Sequence, residues 1–199
     1  LARRNVRVLS EAVRQGYQII STEPAAVTCL THDYPLLLDD DEASRVAAAT
    51  TDATTYLWEL HRDGRLRLDF HPVSARLLYH MPCHVRVRSL TSPSEHLLRL
   101  IPGLLVDAED RGCSGMAGTF GLSRDNYRTS LRAGYRLAKA MREARIAAGV
   151  TECSACRMQM EQGTTKPTVH PIKLLAMSYG CLDGLEGLLS TTSGRLMTS

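Results

Sequence analysis

Residues 150–160 read Val-Thr-Glu-Cys-Ser-Ala-Cys-Arg-Met-Gln-Met, and the pattern changes there from strand to helix at the cysteines. Val150 and Thr151 are β-branched and typical of a strand, and a helix is predicted from the cysteine pair through Met160. A Cys-x-x-Cys pair that opens a helix has its thiols on one face, near backbone N–H groups that stabilise negative charge. The stretch therefore predicts a βα unit with Cys153 and Cys156 at the end of its strand.

Two earlier cysteines also follow short predicted strands. The strand-like segment Ala75–Tyr79 precedes Cys83, and the strand predicted at 104–106 precedes Cys113. The carboxyl ends of parallel strands share one edge of a sheet, which is where ligands bind. We therefore expect four thiols that are distant in sequence to converge at one edge.

Helices are predicted between and after these strands. Residues 92–95, Ser-Pro-Ser-Glu, are a capping box with proline at the first helical position, so a helix is expected to about Leu100. A long helix is predicted over 127–141 and a last one over 172–179. The order βαβαβα predicts an α/β fold with a mostly parallel sheet.

The residues before this layer predict a separate, partial α/β unit. A helix is expected over 2–16 and a strand over 17–20. The acidic run 39–42 is a favourable helix start, and apolar residues behind it keep a 3.6-residue period. One long helix is therefore predicted from this run to Gly64.

Four thiolates suit either a [4Fe–4S] cluster or a structural zinc ion. Glycine recurs every third residue around Cys113, at Gly112, Gly115, Gly118 and Gly121. Such a loop lets backbone amides approach inorganic sulfide closely, and a closed zinc site gains little from it. The pattern favours the cluster and leaves zinc as the alternative.

Other roles compete with metal binding for these residues. Cys153 and Cys156 also fit a redox dithiol of the thioredoxin type, and Cys83 beside His84 fits a cysteine nucleophile. We interpret Cys29 and Cys181 as small apolar side chains. The histidines near the cysteines are interpreted as hydrogen-bonded scaffold: His80, His84 and His170.

Composition excludes several partner classes. The formal charge is +3, and no Lys/Arg cluster is interleaved with stacking aromatics, so no nucleic-acid partner is predicted. No apolar run approaches the roughly 20 residues of a transmembrane helix, and no signal peptide opens the chain. The expected location is the cytoplasm, either free or peripheral on the inner face of the cytoplasmic membrane.

These motifs resemble the cysteine-rich CCG domain, over about residues 66–180. That domain occurs in the iron–sulfur subunits of anaerobic glycerol-3-phosphate dehydrogenase and of glycolate oxidase, in a subunit of heterodisulfide reductase and in FAD-linked oxidase fusions. The segments that carry the resemblance are Tyr79–His84, Gly112–Gly121, Asn126-Tyr127, Thr151–Glu161 and His170–Ile172.

The resemblance implies an iron–sulfur electron-transfer domain of a flavin-linked dehydrogenase that oxidises a 2-hydroxy acid or glycerol 3-phosphate. Electrons would pass from flavin toward a quinone or another carrier, and the isolated chain is not expected to be catalytic. Its partner would be a flavin-containing dehydrogenase domain or subunit. FAD is expected upstream of this chain or in that partner, and the alternative function is a structural zinc scaffold of a redox complex.

The resemblance also implies a domain plan. Residues 1–64 would be the C-terminal remnant of a first CCG unit with a helical linker, because 23–35 looks like the end of such a unit. Residues 65–182 would be the second CCG domain, and 183–199 a flexible tail. The chain begins at Leu1 within an apparent helix, so we expect the other cysteines of the first unit upstream.

One departure from the family pattern limits what is carried over. The family has two adjacent cysteines before the glycine, whereas this chain has Cys113-Ser114-Gly115. Ser114 is expected to act at most as a weak ligand or as a hydrogen-bond donor to a sulfide. The implied ligands are thus Cys83, Cys113, Cys153 and Cys156, and the expected cofactor-contacting loop residues are Gly112, Ser114, Gly115 and Gly118.

Overall fold

The computed structural model describes residues 1–88, 91–184, 187 and 189. The chain divides into two compact units, and the first, Leu1–Arg65, contains two parallel strands. Strand β1 (Ile19–Ser21) pairs with β2 (Thr50–Asp52) in parallel. The helices of this unit are α1 (Ala2–Arg14), α2 (Pro24–Thr28), α3 (Tyr34–Leu38), α4 (Asp41–Ala48) and α5 (Ala53–Arg62), with a π-helical stretch at Cys29–Asp33 between α2 and α3.

The single helix predicted from the acidic run to Gly64 is wrong, because β2 divides it into α4 and α5. The β-branched Thr50 and Thr51 pair with β1. Asp52 then starts a new helix: its carboxylate accepts hydrogen bonds from Thr55 N at 2.9 Å and from Thr54 Oγ1 at 2.7 Å. Tertiary pairing and a local cap together outweigh the helical periodicity.

The core of this unit forms where the helices cover the strand pair. Buried Val6, Tyr34, Ala43 and Val46 pack together, and Cys29 is among the half-buried side chains against them. Cys29 thus has the environment of a small apolar residue.

The second unit begins at Leu66 and contains a four-stranded parallel sheet in the order β4-β3-β5-β6. The strands are β3 (Ala75–Tyr79), β4 (Leu104–Asp107), β5 (Ala148–Val150) and β6 (Thr168–Val169). Strand β3 is central and pairs with both β4 and β5. The predicted α/β class with parallel sheets is confirmed, whereas β6 was not predicted.

Helices cover this sheet and supply its core. They are α6 (Cys83–Arg86), α7 (Pro93–Leu98), α8 (Tyr127–Ala133), α9 (Tyr135–Met141), α10 (Ser154–Gly163) and α11 (Pro171–Ser178). The predicted cap at Ser92 is confirmed, because its hydroxyl accepts from Glu95 N at 3.2 Å. Within the described ranges, none of the helices is both long and apolar enough to cross a membrane. The tail expected at 183–199 falls mostly outside the described residues.

The long helix predicted over 127–141 is interrupted at Gly134, between α8 and α9. A Cβ atom at this position would lie 2.1 Å from the backbone oxygen of Ser114. A matching approach occurs at Gly115, where φ is +97° and a Cβ atom would lie 2.0 Å from the backbone oxygen of Ser130. The helix pair and the cysteine loop are therefore in contact through backbone at two glycines.

Replacement of Gly134 by alanine tests this contact. Helix propensity alone favours alanine by about 1 kcal/mol. Because the added methyl meets a backbone oxygen, we expect Gly134→Ala to lower the free energy of unfolding by about 2 kcal/mol. Urea denaturation of the variant measures this change. The exposed Arg132→Ala on the same turn is the control, expected within about 0.5 kcal/mol of the parent, and a stabilised Gly134→Ala would contradict the packing.

Candidate functional site

The four predicted cysteine ligands all follow strands at the same edge of the larger sheet. Cys83 begins α6 after β3, and Cys113 lies in the loop after β4. Cys153 is the N-terminal cap residue of α10 after β5, and Cys156 lies in that helix. Because β3 pairs in parallel with both β4 and β5, the four cysteines lie just beyond the carboxyl ends of three neighbouring strands.

The site has a buried side and an exposed side. Cys153 and Cys156 are each 7% exposed, whereas Cys83 and Cys113 are exposed to solvent. The pKa of the Cys156 thiol is raised, by its contact with Cys153 and by burial, and Cys83 adds to this effect. Two buried thiols in contact are costly to ionise without a nearby cation. A bound metal centre would supply the positive charge that stabilises their thiolate forms.

Ser114 is buried beside the inner pair. Its hydroxyl donates a hydrogen bond to Cys156 Sγ at 3.2 Å, and the residue is 1% exposed. Burial raises the pKa of Cys156, whereas this hydrogen bond lowers it. The residue that departs from the family pattern is thus in direct contact with a predicted ligand.

The carboxylate of Asp110 joins the two segments that carry the exposed cysteines. It accepts two hydrogen bonds from Arg86 of α6, at 2.8 and 2.9 Å, and a third from Gly112 N at 2.8 Å. The Gly112 amide, followed by Arg86, holds the pKa of Asp110 below its usual range. Since α6 begins at Cys83 and Gly112 precedes Cys113, Asp110 fixes the position of one segment relative to the other.

The inner cysteines are anchored through Glu152. Tyr79 at the end of β3 donates a 2.8 Å hydrogen bond to Glu152 Oε1, and Ser92 donates to the Tyr79 hydroxyl at 2.6 Å. Burial, and then the charge of Glu152, raise the pKa of Tyr79, which therefore stays a neutral donor. The network ties the start of α10 to β3 and to the cap of α7.

In the glycine-rich loop, one backbone amide contacts the sulfur of a predicted ligand. Gly115 N donates to Cys113 Sγ at 3.3 Å, whereas the Gly112 amide is directed to Asp110. Gly118 has φ of +65°, and a Cβ atom there would meet nothing within 4 Å. Gly115 is thus both a close-packing position and a donor to a predicted ligand.

The nearby histidines occupy three different environments. His84 Nδ1 lies 3.7 Å from Cys83 Sγ. His170 caps α11, where its Nδ1 accepts from Ile172 N at 3.1 Å. His80 is 5% exposed and lines a cavity of about 380 Å³ that Arg86 and Asp110 also border.

Across the described residues, no three Cys, His, Asp or Glu side chains are close enough to surround one metal ion. The cysteines lie on one edge but do not form a closed tetrahedral cage. A single zinc ion needs sulfurs that all lie about 2.3 Å from it. A [4Fe–4S] cluster also takes four cysteine thiolates, one on each iron, so the chemistry of the donor set Cys83, Cys113, Cys153 and Cys156 fits either group.

The sequence patterns singled out the four cysteines as predicted ligands but gave no sign of Asp110 or of the role of Tyr79. Asp110 lies in a charged loop with no motif of its own, and its role depends on α6 coming close to that loop. Tyr79 and Glu152 stand next to the predicted strand ends, but their pairing requires the β3–β5 register.

His80 provides a pH test of the packing at this edge. Burial lowers the pKa of His80 to about 4 from its ordinary 6.5, Arg86 lowers it further, and Asp110 opposes the shift. Between these values the unfolded chain takes up a proton that the folded chain does not. Stability is therefore complete above about pH 6.5 and falls as the pH decreases toward 4, by about 2–3 kcal/mol.

The comparison of His80→Gln with the parent isolates this contribution. Urea midpoints at about pH 7 and about pH 4.5 should show a smaller acid loss in the variant, by about 2 kcal/mol. Both proteins are prepared with chelator and reductant, so metal loss does not contribute. Equal acid losses in the two proteins would mean that His80 is not buried as a neutral ring.

The chain is similar to one protein family and to subunits of two redox enzymes. Residues 77–161 match the family described as "CCG: Cysteine-rich domain". The chain is 34% identical over 175 residues to a subunit of the anaerobic glycerol-3-phosphate dehydrogenase of Escherichia coli K12, covering 87% of this chain and 44% of that protein. It is 27% identical over 179 residues to a subunit of the fumarate reductase (CoM/CoB) of Methanothermobacter marburgensis, covering 88% of this chain and 33% of that protein. The chain thus spans less than half the length of these relatives.

Proposed function

We propose that this chain, whose residues 77–161 are a cysteine-rich domain of the CCG family, is an iron–sulfur electron-transfer part of a flavin-linked dehydrogenase. Homology to the two subunits of redox enzymes supports an electron-transfer role in a redox complex. The observation that carries the proposal is the placement of four cysteines at adjacent parallel strand ends.

Cys83, Cys113, Cys153 and Cys156 are the proposed ligands of a [4Fe–4S] cluster, which would accept and pass on single electrons. The protein residues hold and shield the ligands. Gly115 N and the Ser114 hydroxyl donate to two of the sulfurs, and Asp110 holds the exposed segments together. The glycine-rich loop, whose Gly115 amide donates to Cys113 Sγ, supports a cluster over the alternative, a single structural zinc ion.

The first unit is proposed to be the end of a preceding CCG domain, residues 1–64, with 65–182 as the second. Supporting this, β1 is followed by Thr22-Glu23-Pro24 and a helix, and β5 is followed by Thr151-Glu152-Cys153 and a helix. In both units the next strand is parallel to the first and leads directly into another helix. Both units thus continue from a strand through Thr-Glu into a helix, although three α-helices separate β1 from β2 and one separates β5 from β6.

The remaining parts of the proposed enzyme would lie outside this chain. A flavin-containing dehydrogenase domain or subunit would bind FAD and oxidise the substrate, a 2-hydroxy acid or glycerol 3-phosphate. Electrons would leave toward a quinone or another carrier. The proposed location is the cytoplasm or the inner face of the cytoplasmic membrane.

Metal analysis of cysteine variants tests the proposed ligands. After anaerobic purification or reconstitution, the parent should bind about four irons and a similar number of sulfides per chain. Cys153→Ser and Cys156→Ser should lose most of this iron, and Cys83→Ser and Cys113→Ser should lose a large part of it. Iron, acid-labile sulfide and visible absorbance are the measurements.

Cys29→Ser and Cys181→Ser are the matched controls, because these thiols follow none of the strand ends at the site. Both should retain the iron content of the parent. A colourless parent that holds one zinc per chain would replace this proposal by the zinc scaffold, and in that case Cys153→Ser should release zinc and lower the melting temperature.

A further inference from the structure

We propose that Ser114 tunes the reduction potential of the cluster by donating its hydroxyl hydrogen bond to the Cys156 thiolate. The inference rests on the proposed function, because it concerns the sulfur of a proposed ligand. It assigns Ser114 as a donor to a ligand sulfur, rather than as a ligand itself. The 3.2 Å distance from Ser114 Oγ to Cys156 Sγ is its starting point.

The position of the Ser114 backbone is fixed by two close approaches. Its carbonyl oxygen lies against Gly134, and the next residue, Gly115, lies against the Ser130 carbonyl. Neither glycine leaves room for a side chain, so the loop has little freedom to move toward the helices. The direction in which the Ser114 side chain leaves the backbone is thereby fixed toward α10.

The surroundings of this hydrogen bond make it effective. Ser114 is 1% exposed and Cys156 7%, so little water competes for the sulfur. A donor to a sulfur in a poorly hydrated site stabilises negative charge more than it does in water.

The direction of the effect follows from charge. The reduced cluster carries one more negative charge than the oxidised cluster, and part of it resides on the ligand sulfurs. A hydrogen bond to a ligand sulfur therefore stabilises the reduced state more and raises the potential. Without the Ser114 donor the potential should fall.

The experiment is a redox titration of the anaerobically prepared chain, followed by visible absorbance and electron paramagnetic resonance. At the parent's midpoint potential, Ser114→Ala should show on the order of tenfold less reduced than oxidised cluster. For a one-electron couple this is a decrease of ~59 mV. Iron content should equal that of the parent, because no ligand is removed. Ser114→Thr, which keeps a hydroxyl, should restore most of the potential.

Ser130→Ala is the matched control. Ser130 is 1% exposed and packs on the same loop, but its hydroxyl has no hydrogen-bond partner, so its loss should leave the potential unchanged. An unchanged potential in Ser114→Ala, or an equal decrease in both variants, would overturn the inference. Loss of iron in Ser114→Ala would make Ser114 a ligand and also contradict it. A parent without any cluster would contradict the proposed function itself.

Discussion

The parallel pairing of β3 with both β4 and β5 is the constraint on which the candidate site depends. A parallel sheet places the carboxyl ends of neighbouring strands side by side, about 4.8 Å apart. Three loops that are far apart in sequence must then begin at one edge. Apart from the Cys-x-x-Cys pair at Cys153 and Cys156, the cysteines need no shared motif of continuous sequence, because the sheet places them along one edge.

Interactions around this edge divide into a fixed inner part and a more exposed outer part. The inner part contains Cys153 and Cys156 with Ser114 and the Tyr79–Glu152 pair, all withdrawn from solvent. The outer part is held by charges at the surface. Surface ion pairs contribute little to global stability, so the value of Asp110 lies in positioning two segments and not in stabilising the fold.

Sequence patterns predicted the parts of the structure that depend on local information. The strands before the cysteines were recognisable because each has strand-forming residues in a short run, although β5 ends at Val150 and not at the predicted Thr151. The cap at Ser92 was recognisable because its residues are close in sequence. The failures are non-local. Strand β2 exists because β1 lies beside it, and α8 ends because the Ser114 carbonyl reaches Gly134. The sequence likewise predicts which residues carry thiols, but the donor direction of Ser114 required the packed loop.

The two glycine contacts between the cysteine loop and the α8–α9 junction have an energetic consequence. A side chain at Gly115 or at Gly134 would force apart the same pair of surfaces, because each meets a backbone oxygen on the other side. Once one substitution has separated the two surfaces, the second substitution causes a smaller further displacement. The two changes should therefore be coupled, with a combined loss of stability smaller than the sum of the single losses. In this respect the two glycines behave as one structural element, although they stand nineteen positions apart in the chain.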